Sequence, residues 1–184
     1  MGHFDSALIE MVAVVFMVLG GTNFALHFAA MRRRSLQPYS LDPEFVTYVR
    51  LLLVVSVITV GYLGLESTFE SFPEAVHHGI FQVVSIATTT GFTSASFADW
   101  PDFLPVLLIF ASFIGGCASS TGGGLKVIRV LLLFKQGRRE LTRLVHPRAR
   151  VAVKIGNKAL DDQVVQGVWG FFATYILCFA IGML

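Results

Sequence analysis

Residues 85–97 read SIATTTGFTSASF and lie between two strongly apolar segments of the chain. Three consecutive threonines followed by glycine and phenylalanine make a poor helix and a poor strand. Irregular backbone of this kind is tolerated at membrane depth only where protein or a water-filled cavity satisfies its polar groups. The stretch therefore raises two questions: whether the chain lies in a membrane, and what function an irregular backbone has there.

The composition is that of a polytopic membrane protein. The chain is 54% hydrophobic and 14% charged, with a mean hydropathy of +0.70, which is rare among water-soluble domains. No Lys or Arg occurs between Arg50 and Lys126. The acidic residues of that window are Glu66, Glu70, Glu74, Asp99 and Asp102. Because basic residues stay on the cytoplasmic side, we expect residues 32–34 and 126–158 inside and the acidic window outside. This asymmetry also argues against nucleic-acid binding.

Three segments are long enough to cross a bilayer, which takes about 20 helical residues. They are residues 7–31, 45–65 and 164–184. Asp161 and Asp162 are suitable N-caps for the last of them. No polar residue follows that last span, so we expect the sequence to be a piece of a longer protein.

A shorter helix is predicted over residues 74–88, which are too few to span a membrane and suit a re-entrant segment. Ser71 and Glu74 have the spacing of a capping box, with Pro73 in the first turn. At helical spacing, one face is polar (Glu74, His78, Gln82, Ser85) and the opposite face is apolar (Val76, Ile80, Val83, Val84). The alternative is an amphipathic helix lying flat on the outer surface.

The residues after this helix favour the re-entrant interpretation, because a surface helix has no need of the sequence ATTTGFT behind it. A returning strand can aim successive carbonyl oxygens at a pore axis and replace the hydration shell of a cation. Gly91 permits backbone angles that other residues avoid, and Thr89 and Thr90 add hydroxyls and stiffness. Phe92 supplies apolar bulk, and the negative end of the short helix favours a cation. The pattern predicts one strand of a cation filter.

A glycine-rich stretch divides the next apolar segment. Residues 103–116 and 125–134 are each too short to span, and five of the ten residues at 115–124 are glycine, which disfavours one continuous helix. Interrupted helices at membrane depth commonly mark ion sites. We expect a flexible barrier beneath the filter, made by Gly115, Gly116, Ser119, Ser120, Thr121, Gly122, Gly123 and Gly124, whose hydroxyls would face water or ions. The alternative is a glycine kink for close helix packing.

Other interpretations of the sequence are weaker. A phosphate-binding loop fails, because Lys126 follows leucine and no Gly-Lys-Ser/Thr is present. Haem ligation by His27, His77 and His78 is disfavoured, since the first belongs near the inner end of its span and the others near the outer mouth. We predict no metal-ligand cluster, no paired carboxylates and no activated nucleophile, and hence no enzyme. The two cysteines, Cys117 and Cys178, suggest no disulfide framework.

The segment after the glycine-rich stretch is predicted to lie at the cytoplasmic face. Lys126 and Arg129 would be costly facing lipid, so we expect them to extend to that surface. Val151, Val153 and Ile155 alternate before Gly156-Asn157, which predicts a small hairpin in the connector to the last span.

The filter stretch, together with GGCASSTGGGLKVIRVLLLFKQ at 115–136, resembles the third pore repeat of the Trk/Ktr potassium transporter superfamily, in its bacterial TrkH/TrkG-type subunits. The resemblance covers the whole chain. It implies the end of the preceding repeat over 1–34, a complete helix–pore loop–broken helix repeat over 35–145, and a connector with the first helix of the next repeat over 146–184.

The resemblance also implies function and partners. Carbonyls of Thr89, Thr90, Gly91 and Phe92 would line the potassium path, residues 115–124 would be the intramembrane gate, and no cofactor beyond the transported ion would be needed. Uptake would cross the bacterial inner membrane, either passively or by symport. The implied partners are the remaining repeats, a second copy of the subunit, the lipid bilayer and a TrkA-like cytoplasmic nucleotide-binding regulatory subunit. The competing hypothesis is a non-conducting membrane subunit whose re-entrant helix is a packing element.

Overall fold

The computed structural model describes residues 6–101, 103–146, 151–156 and 158–182. Within these ranges nearly all of the regular secondary structure is helical, in agreement with the predicted all-α membrane protein. The helices are α1 Ala7–Gly20, α2 Phe24–Arg33, α3 Gln37–Leu41, α4 Pro43–Leu65, α5 Phe72–Ala87, α6 Phe103–Ile114, α7 Val127–Val145 and α8 Asp162–Gly182. A 3₁₀ turn covers Phe97–Asp99, and β1 Lys154–Ile155 pairs antiparallel with β2 Lys158–Ala159.

Among the described residues, α4 and α8 are by length and composition able to span a membrane. They match the predicted spans at 45–65 and 164–184, although Leu184 itself lies outside the described residues. Both helices begin at aspartates. The Asp42 carboxylate accepts a hydrogen bond from the Phe45 amide at 2.7 Å, and the Asp161 carboxylate accepts one from the Gln163 amide at 3.3 Å, as N-caps do.

The segment at residues 7–31, predicted as one membrane span, is not a single helix. This segment forms α1 and α2, which are bent by 96° at a short break. Asn23 begins the second helix, and its side chain accepts a hydrogen bond from the Ala25 amide at 2.9 Å. Two consecutive glycines, Gly20 and Gly21, precede this cap and weaken helix continuation. Apolar length alone overlooked these local signals.

The short helix α5 lies at the centre of the molecule, packed against α4, α6 and α1. Its residues join a core formed with Tyr48 and Leu63 of α4 and Leu104 and Leu108 of α6, all fully buried. Enclosure by three helices contradicts the alternative of a helix lying flat on the outer surface. The capping box also differs from prediction, because the Ser71 hydroxyl donates to the Glu74 carboxylate at 3.4 Å and makes no bond to the helix backbone.

The glycine-rich segment separates α6 from α7, as predicted. However, α7 is 19 residues long, whereas the apolar run alone predicted only residues 125–134. Its second half is amphipathic: Arg139 is buried and donates to the Asp162 carboxylate of α8 at 2.5 Å. The predicted hairpin is present but short, and Asn157 of its turn lies outside the described residues.

Candidate functional site

The C-terminal end of α5 reverses the chain through a compact set of backbone hydrogen bonds. The Thr89 amide donates to the Ile86 carbonyl at 3.0 Å, and the amides of Thr90 and Gly91 both donate to the Ser85 carbonyl, at 2.9 and 3.3 Å. Thr89 has a positive φ of 58° and Gly91 one of 79°, a region costly for side chains other than glycine. The chain therefore leaves the helix as a tight reversal.

The residues of the reversed segment are exposed. Thr89, Thr90, Gly91 and Phe92 are exposed, while Thr88 just before them is buried. No heavy atom lies within 4 Å of a Cβ placed on Gly91, so its backbone angle, and not lack of space, requires glycine. Across the described residues, the carbonyls of Thr89, Thr90 and Gly91 accept no hydrogen bond, which leaves these oxygens free to meet a cation.

The polar face predicted for α5 holds this reversed segment in place. The Ser85 hydroxyl donates to the Phe92 carbonyl at 2.5 Å. One turn earlier, the side-chain amide of Gln82 donates to the Thr93 hydroxyl at 3.3 Å. One turn before that, His78 Nδ1 lies 2.9 Å from the Ser94 hydroxyl. The polar side chains thus bind the returning strand at three successive points. Because Phe92 already has one hydrogen bond on its carbonyl, only that oxygen's second lone pair remains for an ion.

The glycine-rich segment lies directly against the reversed strand. The Gly123 amide donates to the Thr89 hydroxyl oxygen at 2.6 Å. A Cβ at Gly122 would come within 3.0 Å of the Thr88 carbonyl oxygen. The two predicted elements, 34 residues apart in sequence, are therefore in contact, and the absence of side chains on the glycines permits it.

The same segment also fills the break between α1 and α2. The Thr121 amide and hydroxyl both donate to the Gly20 carbonyl, at 3.1 and 3.0 Å, and the Cys117 amide donates to the Gly21 carbonyl at 2.8 Å. The carbonyls released where α1 ends are thereby satisfied. The break between α1 and α2, which the sequence did not predict, is thus the place where the glycine-rich segment binds.

The ends of the glycine-rich segment are pressed together. Gly115 and Gly124 have φ values of 71° and 79°, and a Cβ on Gly115 would collide with the Gly123 carbonyl oxygen. The Leu125 amide donates to the Phe113 carbonyl at 2.8 Å and so bridges the two ends. The segment is an Ω-like loop closed at its neck.

The predicted hydroxyls have mostly structural partners. Ser120 donates to the Cys117 carbonyl at 2.6 Å and Thr121 donates to the Gly20 carbonyl. Ser119 is exposed, with a φ of 55°, and its carbonyl accepts from the Phe24 amide at 3.2 Å. The Ser120 hydroxyl therefore stabilises the loop itself, and the Thr121 hydroxyl ties the loop to the end of α1.

Glu44, in the first turn of α4, was missed by sequence reasoning. Its carboxylate is buried, with the residue 6% exposed. One oxygen, Oε1, accepts hydrogen bonds from the Ala118 amide at 2.6 Å and the Ile128 amide at 3.2 Å. Ile128 lies in the first turn of α7, whose own N-cap residue, Lys126, makes no side-chain cap. Glu44 thus caps α7 from a distance and also holds the glycine-rich loop.

Lys126 and Arg129 are bound within the protein instead of extending away from it. The Lys126 amino group donates to the Gly122 carbonyl of the loop, and Lys126 has a positive φ of 77°. Arg129 donates to the Leu125 carbonyl at 3.1 Å, and its guanidinium lies 4.1 Å from the ring centre of Phe171 in α8, a cation–π distance.

The histidines considered for haem fall into separate places. His27 lies 2.6 Å from the Tyr39 hydroxyl, whereas His77 and His78 group with Glu10 of α1. No local spacing in the sequence reveals this group, because Glu10 is 67 residues away from its histidine partner. Cys117 and Cys178 are both free thiols.

Comparison with known proteins gives the same family over the entire chain. A family model described as TrkH, cation transport protein, matches residues 1–184. The chain is 50% identical over 183 residues to the Trk system potassium uptake protein TrkH of Salmonella typhimurium, covering 100% of the chain and 38% of that protein. It is 36% identical over 179 residues to TrkG of Escherichia coli, covering 96% of the chain and 36% of that protein.

The solved structures agree. The fold matches the crystal structure of the potassium transporter TrkH from Vibrio parahaemolyticus with a TM-score of 0.94 and 50% identity, covering 98% of this chain and 39% of the other. The chain thus spans about two-fifths of the length of the relatives it matches.

Proposed function

The chain belongs to the TrkH family of cation transport proteins, and we propose that it forms one pore segment and the gate of a pathway for potassium uptake across the bacterial inner membrane. It is a transport protein segment and not an enzyme, and its apolar helices α4 and α8 are suited to the bilayer. In this proposal the remaining repeats of a longer polypeptide complete the path. The division at 1–34, 35–145 and 146–184 is part of the proposal.

The observation that carries the proposal is the row of carbonyls at Thr89, Thr90 and Gly91, which belong to exposed residues and accept no hydrogen bond among the described residues. Carbonyl oxygens fixed by the surrounding protein can replace the hydration shell of a potassium ion. The segment is held by the α5 side chains behind it, so the oxygens are fixed in place. It also lies at the C-terminal, partly negative end of α5, which favours a cation.

The glycine-rich loop is the proposed gate. It is bonded to Thr89 of the filter segment and to Gly20 at the α1–α2 break. Glu44 joins Ala118 of the loop to the first turn of α7. Opening would require these hydrogen bonds to break. Each of these bonds contributes only about 1 kcal/mol net, because water replaces the lost partner when the bond breaks.

The cytoplasmic face is proposed to carry regulation. Lys126 and Arg129 would lie toward this side, with the basic second half of α7 and the short hairpin beyond them. A homodimeric assembly and a TrkA-like nucleotide-binding subunit docking on this face are the proposed partners. Potassium is the transported ion, and the proposal includes no cofactor.

The test is growth rescue at limiting potassium in a strain that lacks its own uptake systems, using the full-length polypeptide that carries this chain. Gly91→Asp should abolish rescue, because it places a carboxylate among the filter carbonyls. The matched control is Gly137→Asp in α7, which should keep rescue, since a Cβ added at either glycine meets no heavy atom within 4 Å. Because Gly91 has a φ of 79°, Asp at this position also carries backbone strain, so the amount of each variant in the membrane is measured together with rescue. Rescue by Gly91→Asp would refute the proposal, whereas loss of rescue at normal membrane abundance supports it.

A further inference from the structure

A cluster of potential metal ligands lies on the side of α5 that faces α1, next to the segment that follows the filter. It contains Glu10 of α1 and the adjacent His77 and His78 of α5. One ligand atom from each lies within 4.8 Å of the other two, and His77 Nε2 is 2.5 Å from Glu10 Oε2. Two separate helices thus bring two imidazoles and one carboxylate to a single point.

We propose that Glu10, His77 and His78 bind a zinc ion. Imidazole nitrogen and carboxylate oxygen are common zinc ligands, at about 2.0–2.2 Å from the metal. Around a tetrahedral ion such ligand atoms would be about 3.4 Å apart. To reach this spacing, the Glu10 and His77 side chains would rotate slightly apart to admit the ion between them. Three protein ligands would leave the fourth position for water, as in other open zinc sites.

The surroundings of the cluster are those of a metal site. A buried carboxylate is unfavourable unless it is paired or coordinates a metal, and Glu10 is only 4% exposed. The imidazole of His78 is oriented by Ser94, whose hydroxyl lies 2.9 Å from Nδ1, and we assign Nε2 to the ion. Ring orientation through the second nitrogen is typical of metal-bound histidine. The side chain of His77 is 22% exposed, which gives an ion access to the cluster.

Zinc at this place would connect α1, α5 and the strand that returns from the filter. Glu10 and His77 would fix the two helices to one another, and His78 would carry the constraint to Ser94, two residues beyond Phe92. The binding itself does not depend on the proposed potassium pathway, so the two proposals can fail separately.

The competing explanation is a simple hydrogen-bonded pair between Glu10 and His77, with His78 serving only Ser94. The two explanations differ in what His78 contributes. A pair alone offers two ligands and holds zinc weakly, whereas the three-ligand site needs every member.

The experiment measures zinc binding by the purified full-length polypeptide in detergent, in competition with a chromogenic zinc chelator. We expect one zinc ion per chain. Glu10→Gln, His77→Ala and His78→Ala should each weaken binding by at least roughly tenfold, since even the loss of outer partners costs 10–100-fold. His146→Ala, at an exposed histidine at the end of α7, is the matched control, and Cys178→Ser tests the exposed thiol; both should bind zinc normally.

Folding of each variant is checked by circular dichroism and gel filtration, and Glu10→Gln preserves side-chain size. The proposal is overturned if the unmodified protein binds no zinc when the metal is in large excess over protein, an outcome that does not depend on any variant. It is equally overturned if His78→Ala binds as the unmodified protein does, or if the His146 or Cys178 variant accounts for the binding.

Discussion

Replacing Glu44 with alanine should release the glycine-rich loop. The Glu44 carboxylate is buried and accepts two backbone hydrogen bonds, at 2.6 Å from Ala118 and 3.2 Å from Ile128. Leaving a buried donor without a partner costs about 1–3 kcal/mol. Two such donors give about 2–6 kcal/mol, lost from the closed arrangement of the loop and from the first turn of α7.

Amide hydrogen exchange measures this directly. A loss of about 2 kcal/mol corresponds to roughly 30-fold faster exchange through local opening, so peptides covering Ala118 and Ile128 should exchange at least that much faster in Glu44→Ala. Glu44→Gln keeps an oxygen acceptor and loses only the charge. Its exchange rate should lie between those of Glu44→Ala and the unmodified protein, with a loss of about 1 kcal/mol.

The matched control is Glu74→Ala. Glu74 also follows a proline in the first turn of its helix, but it is exposed and its side chain contacts Ser71. Exchange in the glycine-rich loop should be unchanged in this variant. If Glu44→Ala exchanges as slowly as the unmodified protein, or if Glu74→Ala loosens the loop to the same extent, Glu44 does not hold the loop.

Two further changes test the loop and its contact with the filter segment. Gly115→Ala should lower the thermal unfolding midpoint or prevent folding, because its Cβ would collide with the Gly123 carbonyl. Gly137→Ala, where an added Cβ meets no neighbour, should be neutral or stabilise the protein by up to about 1 kcal/mol. Equal unfolding midpoints for the two variants would contradict the steric argument. Thr89→Val removes the acceptor of the Gly123 amide. Losing this bond costs about 1 kcal/mol, so amide hydrogen exchange at Gly123 should become about fivefold faster, while Thr89→Ser should keep the slow exchange. Unchanged exchange in Thr89→Val would show that the contact contributes nothing to stability.

The sequence predicted those elements whose signals lie within a short stretch of the chain. The spans α4 and α8 follow from apolar length, the polar face of α5 from helical spacing, and the interruption after α6 from five glycines in ten residues. The purpose of that polar face became clear only from the structure, where Ser85, Gln82 and His78 each bond to the returning strand.

What the sequence did not reveal depends on contacts between distant residues. Glu44 meets the loop and α7 across 74 and 84 positions, and Glu10 meets His77 across 67. Neither glutamate has a distinguishing neighbour in sequence. The break between α1 and α2 was readable in principle, because two glycines precede an Asn cap, but apolar length outweighed that signal.

The carbonyls of Thr89, Thr90 and Gly91 are central to the proposed function, because they would coordinate the transported ion. The most direct measurement is a structure of the full-length protein with rubidium in place of potassium, in which anomalous scattering locates the ion. We expect a peak within coordination distance of these carbonyl oxygens. A filter segment with no ion beside it, while rubidium is bound elsewhere along the pathway, would contradict that role.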